Sequence, residues 1–337
     1  MADSAFLTGG TGFVGASLAR LLLKQGLKVK ALARKGNDRR NLAGLNVEIV
    51  EGGLTDKTAI ENGVKGCRYV FHVAADYRIW IPNPEVMYAA NVEGTEIVLR
   101  AAAKAGAERI VHCSSVAAVK VPDDQTAVDE TSEYAGLDEI VGHYKKSKYL
   151  ADVLARKLAK DEGLPIVTVN PAAPIGPYDS KPTPTGKLVV DFLNGRIPSY
   201  IDNGLNIVHV EDVALGHWYA AQKGRIGERY ILGGENLTLK EVLDLLAEVS
   251  GRAGPRFKTP YPIAVAFSAV DTAIAVLRGT VPLAPLDAVK MAKHYMWFSS
   301  EKAKTELGFT PRPAKDALKD AVAWYVANGY AKTKPVA

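Results

Sequence analysis

Near its start the chain reads Thr8-Gly9-Gly10-Thr11-Gly12-Phe13-Val14-Gly15, and no other stretch restricts its fold as much. A short apolar run, residues 5–8, leads into this loop, and a helical pattern over residues 16–25 leads out of it. Gly9, Gly12 and Gly15 are evenly spaced. Between a strand and a helix, glycines so placed allow a tight turn, bring an anion onto bare backbone and let the helix pack closely on the strand. The helix N-terminus adds free N–H groups and a positive dipole end, which suit a pyrophosphate. The competing reading, a cluster of turn glycines, leaves the flanking strand and helix as coincidence.

The first half of the chain continues that alternation. Residues 29–33, 47–50, 69–73, 110–113 and 166–170 read as further strands. They are mostly apolar throughout, as strands buried on both faces are. Helical patterns lie at 91–104 and 144–161, the latter with Leu150, Val153, Leu154 and Leu158 as its apolar stripe. Strands alternating with helices predict an α/β fold, a Rossmann-type doubly wound parallel sheet. After Asn170 the texture changes: five prolines crowd residues 171–186. Helices are expected at 187–194, 211–222, 239–250, 262–277, 286–294 and 314–328, and a strand at 230–232. The division predicted is a nucleotide-binding domain over 1–170. A mixed region and a smaller, mainly helical substrate lobe over 171–337 return some elements to the first core.

Bulk properties exclude several classes. At 337 residues, 47% hydrophobic and 23% charged, the chain reads as an ordinary globular protein with room for a large core. The net charge of +5 comes without a basic stripe interleaved with aromatics, so no nucleic-acid partner is expected. The small surplus serves solubility, or draws in an anionic cofactor or substrate. Cys67 and Cys113 are too few for a disulfide framework, and no cluster has metal-ligand spacing. The N-terminus lacks the pattern of a signal peptide, and no run of 18 apolar residues predicts an integral membrane segment. A cytoplasmic enzyme is the class expected. The apolar segment 262–277 is interrupted by Ser268, Asp271 and Thr272. It is expected to pack on the pocket as a lobe helix, favouring a partly apolar substrate, rather than to touch a membrane.

Tyr144-Lys145-Lys146-Ser147-Lys148 carries the chemistry. A tyrosine and a lysine four residues apart share one helix face. A free phenol is only about 0.1% ionised at pH 7, and an ammonium beside it is expected to lower its pKa. Tyr219–Lys223 and Tyr330–Lys334 have the same spacing, but only Tyr144 follows a serine, Ser115, at the end of the fifth strand. In open α/β sheets ligands bind at that end. The second strand runs into Arg34, where an acid would favour NAD and a guanidinium grips a 2′-phosphate. NADP is therefore expected, with NAD the alternative.

The chain resembles the extended short-chain dehydrogenase/reductase superfamily, the NAD-dependent epimerase/dehydratase family, over essentially its full length. The likeness rests on Thr8–Gly15, His72-Val73-Ala74-Ala75, Asn91-Val92-Glu93-Gly94-Thr95, Ser114-Ser115, Tyr144 to Lys148 and His209-Val210-Glu211-Asp212-Val213-Ala214. Within the family it is similar to dihydroflavonol-4-reductase-like proteins. Pro174-Ile175-Gly176-Pro177, residues 181–187 and Asp202-Asn203-Gly204-Leu205-Asn206 make it similar to bacterial hopanoid-associated sugar epimerases.

The resemblance implies Tyr144 as general acid/base, Ser115 as the hydrogen-bonding partner of the reacting oxygen, and Lys148 as holder of the nicotinamide ribose. It places Gly12, Phe13 and Val14 at the pyrophosphate, Ala74 and Ala75 beside the ribose, and Pro171 near the nicotinamide. Asn91 is expected to bridge strands rather than relay protons. The family's acid beside the adenine is absent from Gly52-Gly53-Leu54-Thr55-Asp56, so adenine recognition falls to Leu54 backbone or to Asp56. His72, His112, His209 and His294 are expected to be structural. The superfamily's four-helix-bundle homodimer would use helices 91–104 and 144–161.

Three functions compete. The first is an NAD(P)-dependent oxidoreductase or epimerase that interconverts a secondary alcohol and a ketone on a sugar-like, polycyclic or lipid-linked small molecule, in hopanoid metabolism. The second is net reduction by NADPH, as in dihydroflavonol-4-reductase-like enzymes. The third, from another class, is a non-catalytic NADP-binding regulator, against which the retained tyrosine and lysine argue.

Overall fold

The computed structural model describes residues 3–331. Its first half sets β1 (Ser4–Thr8), α1 (Phe13–Lys24), β2 (Lys28–Ala33), β3 (Val47–Glu51), α2 (Lys57–Val64) and β4 (Tyr69–His72) in order. Then come α3 (Glu85–Tyr88), α4 (Gly94–Lys104), β5 (Arg109–Cys113), α5 (His143–Glu162) and β6 (Ile166–Pro171). The second half adds β7 (Ala173–Ile175), α6 (Pro184–Leu193), β8 (Ser199–Tyr200), β9 (Gly204–His209), α7 (Val210–Lys223), β10 (Arg229–Leu232) and β11 (Glu235–Thr238). It closes with α8 (Leu239–Ser250), β12 (Phe257–Lys258), α9 (Tyr261–Arg278), α10 (Leu286–Met291), β13 (Tyr295–Met296) and α11 (Ala314–Ala327).

Seven strands form one sheet in the order β10-β6-β5-β4-β1-β2-β3, every neighbouring pair parallel. This is a Rossmann-type α/β fold. Alternate residues of each strand serve opposite faces. Leu7, Ala31, Phe71, Val111 and Val167 join the cluster that includes Leu18 and Leu22 of α1 and Val213 and Ala220 of α7. Phe6, Leu32, Val70, Ile110 and Ile166 join Ile60 of α2, Val98 and Leu99 of α4 and Leu158 of α5. Burial on both faces is why these strands are legible as unbroken apolar runs.

The second half is mainly helical, as expected, but its lobe also holds a sheet the sequence did not predict. A four-stranded sheet is built on β9, which pairs antiparallel with β11 and parallel with β7 and β13. Helices α6, α8 and α11 cover it through a separate core that includes Val189, Leu243, Leu246 and Leu318. Strands this short carry no readable period. Two other boundaries differ. The helix expected from 91 is preceded by a π turn, Ala89–Glu93, and the one expected over 286–294 ends at Met291. Strand β4 stops at His72 because the next two amides turn aside: those of Val73 and Ala74 both donate to Thr8 Oγ1 at 3.1 Å.

Candidate active site

A cavity of about 1110 Å³ opens across the C-terminal ends of the central strands and runs under the second lobe. Its walls include Gly9, Gly12, Phe13, Val14, Gly15, Arg34, Leu54, Ala74, Ala75, Tyr144, Lys148 and Pro171, all of which the sequence singled out for a cofactor, but not Asp56. Ser115 lines it as well.

The glycine loop shapes one end. Gly9 has φ +77°, and a Cβ there would lie 2.7 Å from the Ala74 nitrogen. A Cβ on Gly15 would lie 2.1 Å from the Gly9 carbonyl oxygen. The turn closes by a hydrogen bond from the Gly12 N–H to that oxygen at 2.9 Å. Gly12 caps α1 without any side-chain hydrogen bond, so the first-turn amides of the helix face the cavity unsatisfied. A bare-backbone concavity at a helix N-terminus fits a dinucleotide pyrophosphate.

At the end of β2 the cations differ in their engagements. Arg39 pairs with Glu51 at 2.5 Å and Arg40 with Asp38 at 2.8 Å. Arg34 lines the cavity, exposed, with no side-chain hydrogen bond or ion pair among the described residues, and its charge helps to lower the Asp76 carboxyl. Gly52, Gly53 and Leu54 border the same region. Asp56 is not available to adenine as the sequence allowed. Its carboxylate caps α2, accepting from the Ala59 N–H at 3.0 Å.

The other end gathers Ser115, Tyr144 and Lys148. Ser115 follows β5 and caps a short 3₁₀ turn, its Oγ accepting from the Ala117 N–H at 3.1 Å. With that acceptance satisfied, its own O–H is left to donate, and the Tyr144 phenol is its partner. Lys148 is buried and donates to the Cys113 carbonyl at 2.9 Å. The expected lowering of the Tyr144 pKa does not hold. Burial pushes this phenol above its ordinary value, against a downward pull from a hydrogen bond with the Ser115 side chain. Burial also depresses the Lys148 ammonium, whose hydrogen bond is directed to the Cys113 carbonyl. Cys113 is no nucleophile: burial raises its thiol to about 11.

A buried polar network holds this corner, and the sequence did not announce it. Asn170, in β6, donates to the Ser115 carbonyl at 2.9 Å and to Asp152 Oδ1 at 3.0 Å. Asp152 lies one turn beyond Lys148, fully buried, and receives Arg156 at 2.9 Å and the buried Arg229 at 3.4 Å. Asn91 clamps the neighbouring loop. It accepts from the Asp76 N–H at 2.6 Å and donates to the Asp76 carbonyl at 2.8 Å and to Ser147 Oγ at 3.0 Å. His72 bridges Thr8 at 2.8 Å and Thr95 at 2.9 Å, and burial holds it near 3, neutral. His209 caps α7 through the Glu211 N–H, at 3.1 Å. His294, by contrast, lines the cavity.

Lys145 is the residue that sequence reasoning passed over. It lines the cavity, is only 7% exposed, and has no hydrogen bond or ion pair among the described residues. Burial lowers it to about 8. Around it the lobe contributes Ala288, Met291, Ala292, Met296 and Phe298 to a largely apolar wall. Of the two other Tyr–Lys pairs, Tyr219 and Lys223 make a cation–π contact at 5.2 Å and neither lines the cavity; Lys334 lies outside the described residues.

Known proteins share this architecture. The profile of the NAD dependent epimerase/dehydratase family matches residues 5–233. A dihydroflavonol 4-reductase-like protein of Synechocystis sp. is 43% identical, the match covering 99% of this chain and 98% of that one. Sterol demethylase protein B of Methylococcus capsulatus is 30% identical over 97% of this chain and 99% of its own. The crystal structure of gox2253 superposes with a TM-score of 0.87 at 43% identity, covering 98% of this chain and 99% of that one. With its glycine cradle and parallel sheet inside the matched span, the chain belongs to the NAD-dependent epimerase/dehydratase family and is an NAD(P)-dependent enzyme of oxidoreductase type.

Proposed function

We propose that the protein is an NADP-dependent oxidoreductase that reduces a ketone to a secondary alcohol on a bulky, largely apolar substrate, polycyclic or lipid-linked. The observation that carries this reading is one cavity with Ser115, Tyr144 and Lys148 at one end and the glycine cradle with unpaired Arg34 at the other. The apolar lobe wall suits a ring system. The 30% identical relative named for sterol demethylation supports a polycyclic class.

Bound NADPH supplies a hydride to the carbonyl carbon. Tyr144 gives its phenolic proton to the carbonyl oxygen, and solvent returns a proton to the phenolate. Ser115 donates its O–H to the same oxygen and orients it. Lys148, anchored on the Cys113 carbonyl, fixes a positive charge on the face that carries Tyr144. A phenol pushed up by burial is protonated at neutral pH, the state that reduction needs. Oxidation would start from the phenolate. Arg34 is the residue placed to take the 2′-phosphate.

Epimerisation of a sugar-like substrate is the second reading. Lys145 and Lys181, two cavity-wall cations that a diphosphate would engage, favour it. Identifying the nucleotide that co-purifies separates the two. Reduction predicts a site that exchanges NADPH freely and consumes one NADPH per ketone. Tightly held NAD that is never consumed would contradict reduction and support epimerisation.

A further inference from the structure

Helix α9 does not pack on the pocket with its apolar face, as its composition suggested. Only Ser268 and Ala275 of its 18 residues are buried. Ile263, Phe267, Val270, Ile274 and Leu277 recur at four- and three-residue steps and so form one stripe. That stripe faces outward, its members 60%, 59%, 60%, 42% and 86% exposed, and Val281 and Leu283 extend it at 73% and 83%. The opposite side is tied down. Ser268 Oγ donates to the Ala284 carbonyl at 2.6 Å, Asp271 accepts from the Ala284 N–H at 2.9 Å, and Thr272 accepts from the Leu286 N–H at 3.1 Å. An apolar surface this large and continuous on a folded chain marks an interaction site.

Charge selects the occupant. From residue 252 to 293 the cations are Arg252, Arg256, Lys258, Arg278, Lys290 and Lys293, and the acids are Asp271 and Asp287 alone. Asp271 is engaged with the Ala284 amide. Arg256, Arg278, Lys290 and Lys293 are exposed, with no side-chain partner among the described residues. We propose that α9 and the following segment to Leu283 form a monotopic docking surface for a bilayer containing anionic lipid. The stripe enters the acyl boundary and the flanking cations meet the headgroups. The helix lies on the membrane and does not cross it, because its polar side is committed to residues 284–286. A second copy seated on the stripe would bring two cationic flanks together, which opposes that pairing.

The surface also has a use, which rests on the function proposed above. Helix α10 packs against α9 and presents Ala288 and Met291 to the cavity wall. The docking face and the substrate chamber are two sides of one hairpin. An amphiphilic substrate resident in the bilayer would reach the chamber beside it.

Flotation of the full chain with vesicles tests the surface. The protein should float with phosphatidylcholine vesicles containing phosphatidylglycerol, and less with phosphatidylcholine alone. The F267E/L277E double variant should lose about tenfold or more of this binding, with its melting temperature and NADPH affinity unchanged. Absence of flotation, or equal flotation of the variant, overturns the proposal. So does a dimer that the double variant dissociates in sedimentation without any vesicle binding. Flotation with no NADPH binding in either protein would leave the surface standing and overturn the oxidoreductase reading instead.

Discussion

Lys145 shows how a single side chain can work against the fold that carries it. Its ammonium is buried without a partner and titrates near 8, against an ordinary value of 10.5. Above pH 10.5 the group is neutral in both folded and unfolded chains and has no effect on stability. As pH falls toward 8 the unfolded chain takes up the proton first, so stability falls. Below 8 the full penalty applies, on the order of 3 kcal/mol at about 1.36 kcal/mol per pKa unit. Lys145→Met should therefore stabilise the protein at pH 7 by roughly that amount, with the gain vanishing near pH 10.5. Denaturant unfolding at several pH values measures it, and an equal gain at all pH values would remove burial of the charge as the cause. Arg34 gives the complementary case of an exposed cation with a proposed ligand, the 2′-phosphate. Arg34→Ala should weaken NADPH binding about 10- to 100-fold, the scale of a charge-assisted hydrogen bond, and leave NADH binding unchanged in the same titration. Neither behaviour could be read from composition. Lys145 sits among two other lysines in the sequence, and only the lobe that closes over it takes it out of water.

Among the elements, the glycine turn and helix α5 were the most legible and the network between them the least. The strand–turn–helix around Gly9–Gly15 is local, so spacing alone reveals it. The strands of the main sheet reveal themselves because burial on both faces removes polar residues from them. Asn170 and Asp152 stand 18 residues apart, Asp152 and Arg229 77 apart, and only tertiary packing joins them. Nothing in the sequence sets Asp152 apart from the other polar positions of its helix. Asp152→Ala would leave the Arg229 guanidinium buried without this carboxylate. The expected loss is about 3–5 kcal/mol, read as an earlier unfolding midpoint with an unchanged slope. A loss below about 1 kcal/mol would show that the Glu133 carboxylate, 3.0 Å from Arg229, and the Glu130 carbonyl, 2.6 Å from it, suffice for the guanidinium. The Tyr144 pKa was misjudged for a related reason. Helical spacing places Lys148 on the right face, but it does not show that the lysine reaches for the Cys113 carbonyl or that burial outweighs the Ser115 hydrogen bond on the phenol.

At the scale of the whole molecule, two lobes line one cavity. The second lobe's core around β9, α6, α8 and α11 is separate from the two that sandwich the main sheet. The sequence hid its sheet, whose strands run from two to six residues. It also suggested the wrong side for α9, because apolar residues are usually inside. What the sequence did show was the glycine turn, where backbone geometry constrains residue type most tightly. The central claim is that Tyr144 delivers a proton to a substrate oxygen beside the nicotinamide of NADP. Turnover of NADPH with a prochiral polycyclic ketone, compared between the parent protein and Tyr144→Phe, tests it most directly. Loss of the general acid should lower kcat by about 10²- to 10⁴-fold while the NADPH dissociation constant stays the same. A Tyr144→Phe protein that consumes NADPH with that ketone as fast as its parent would contradict the account.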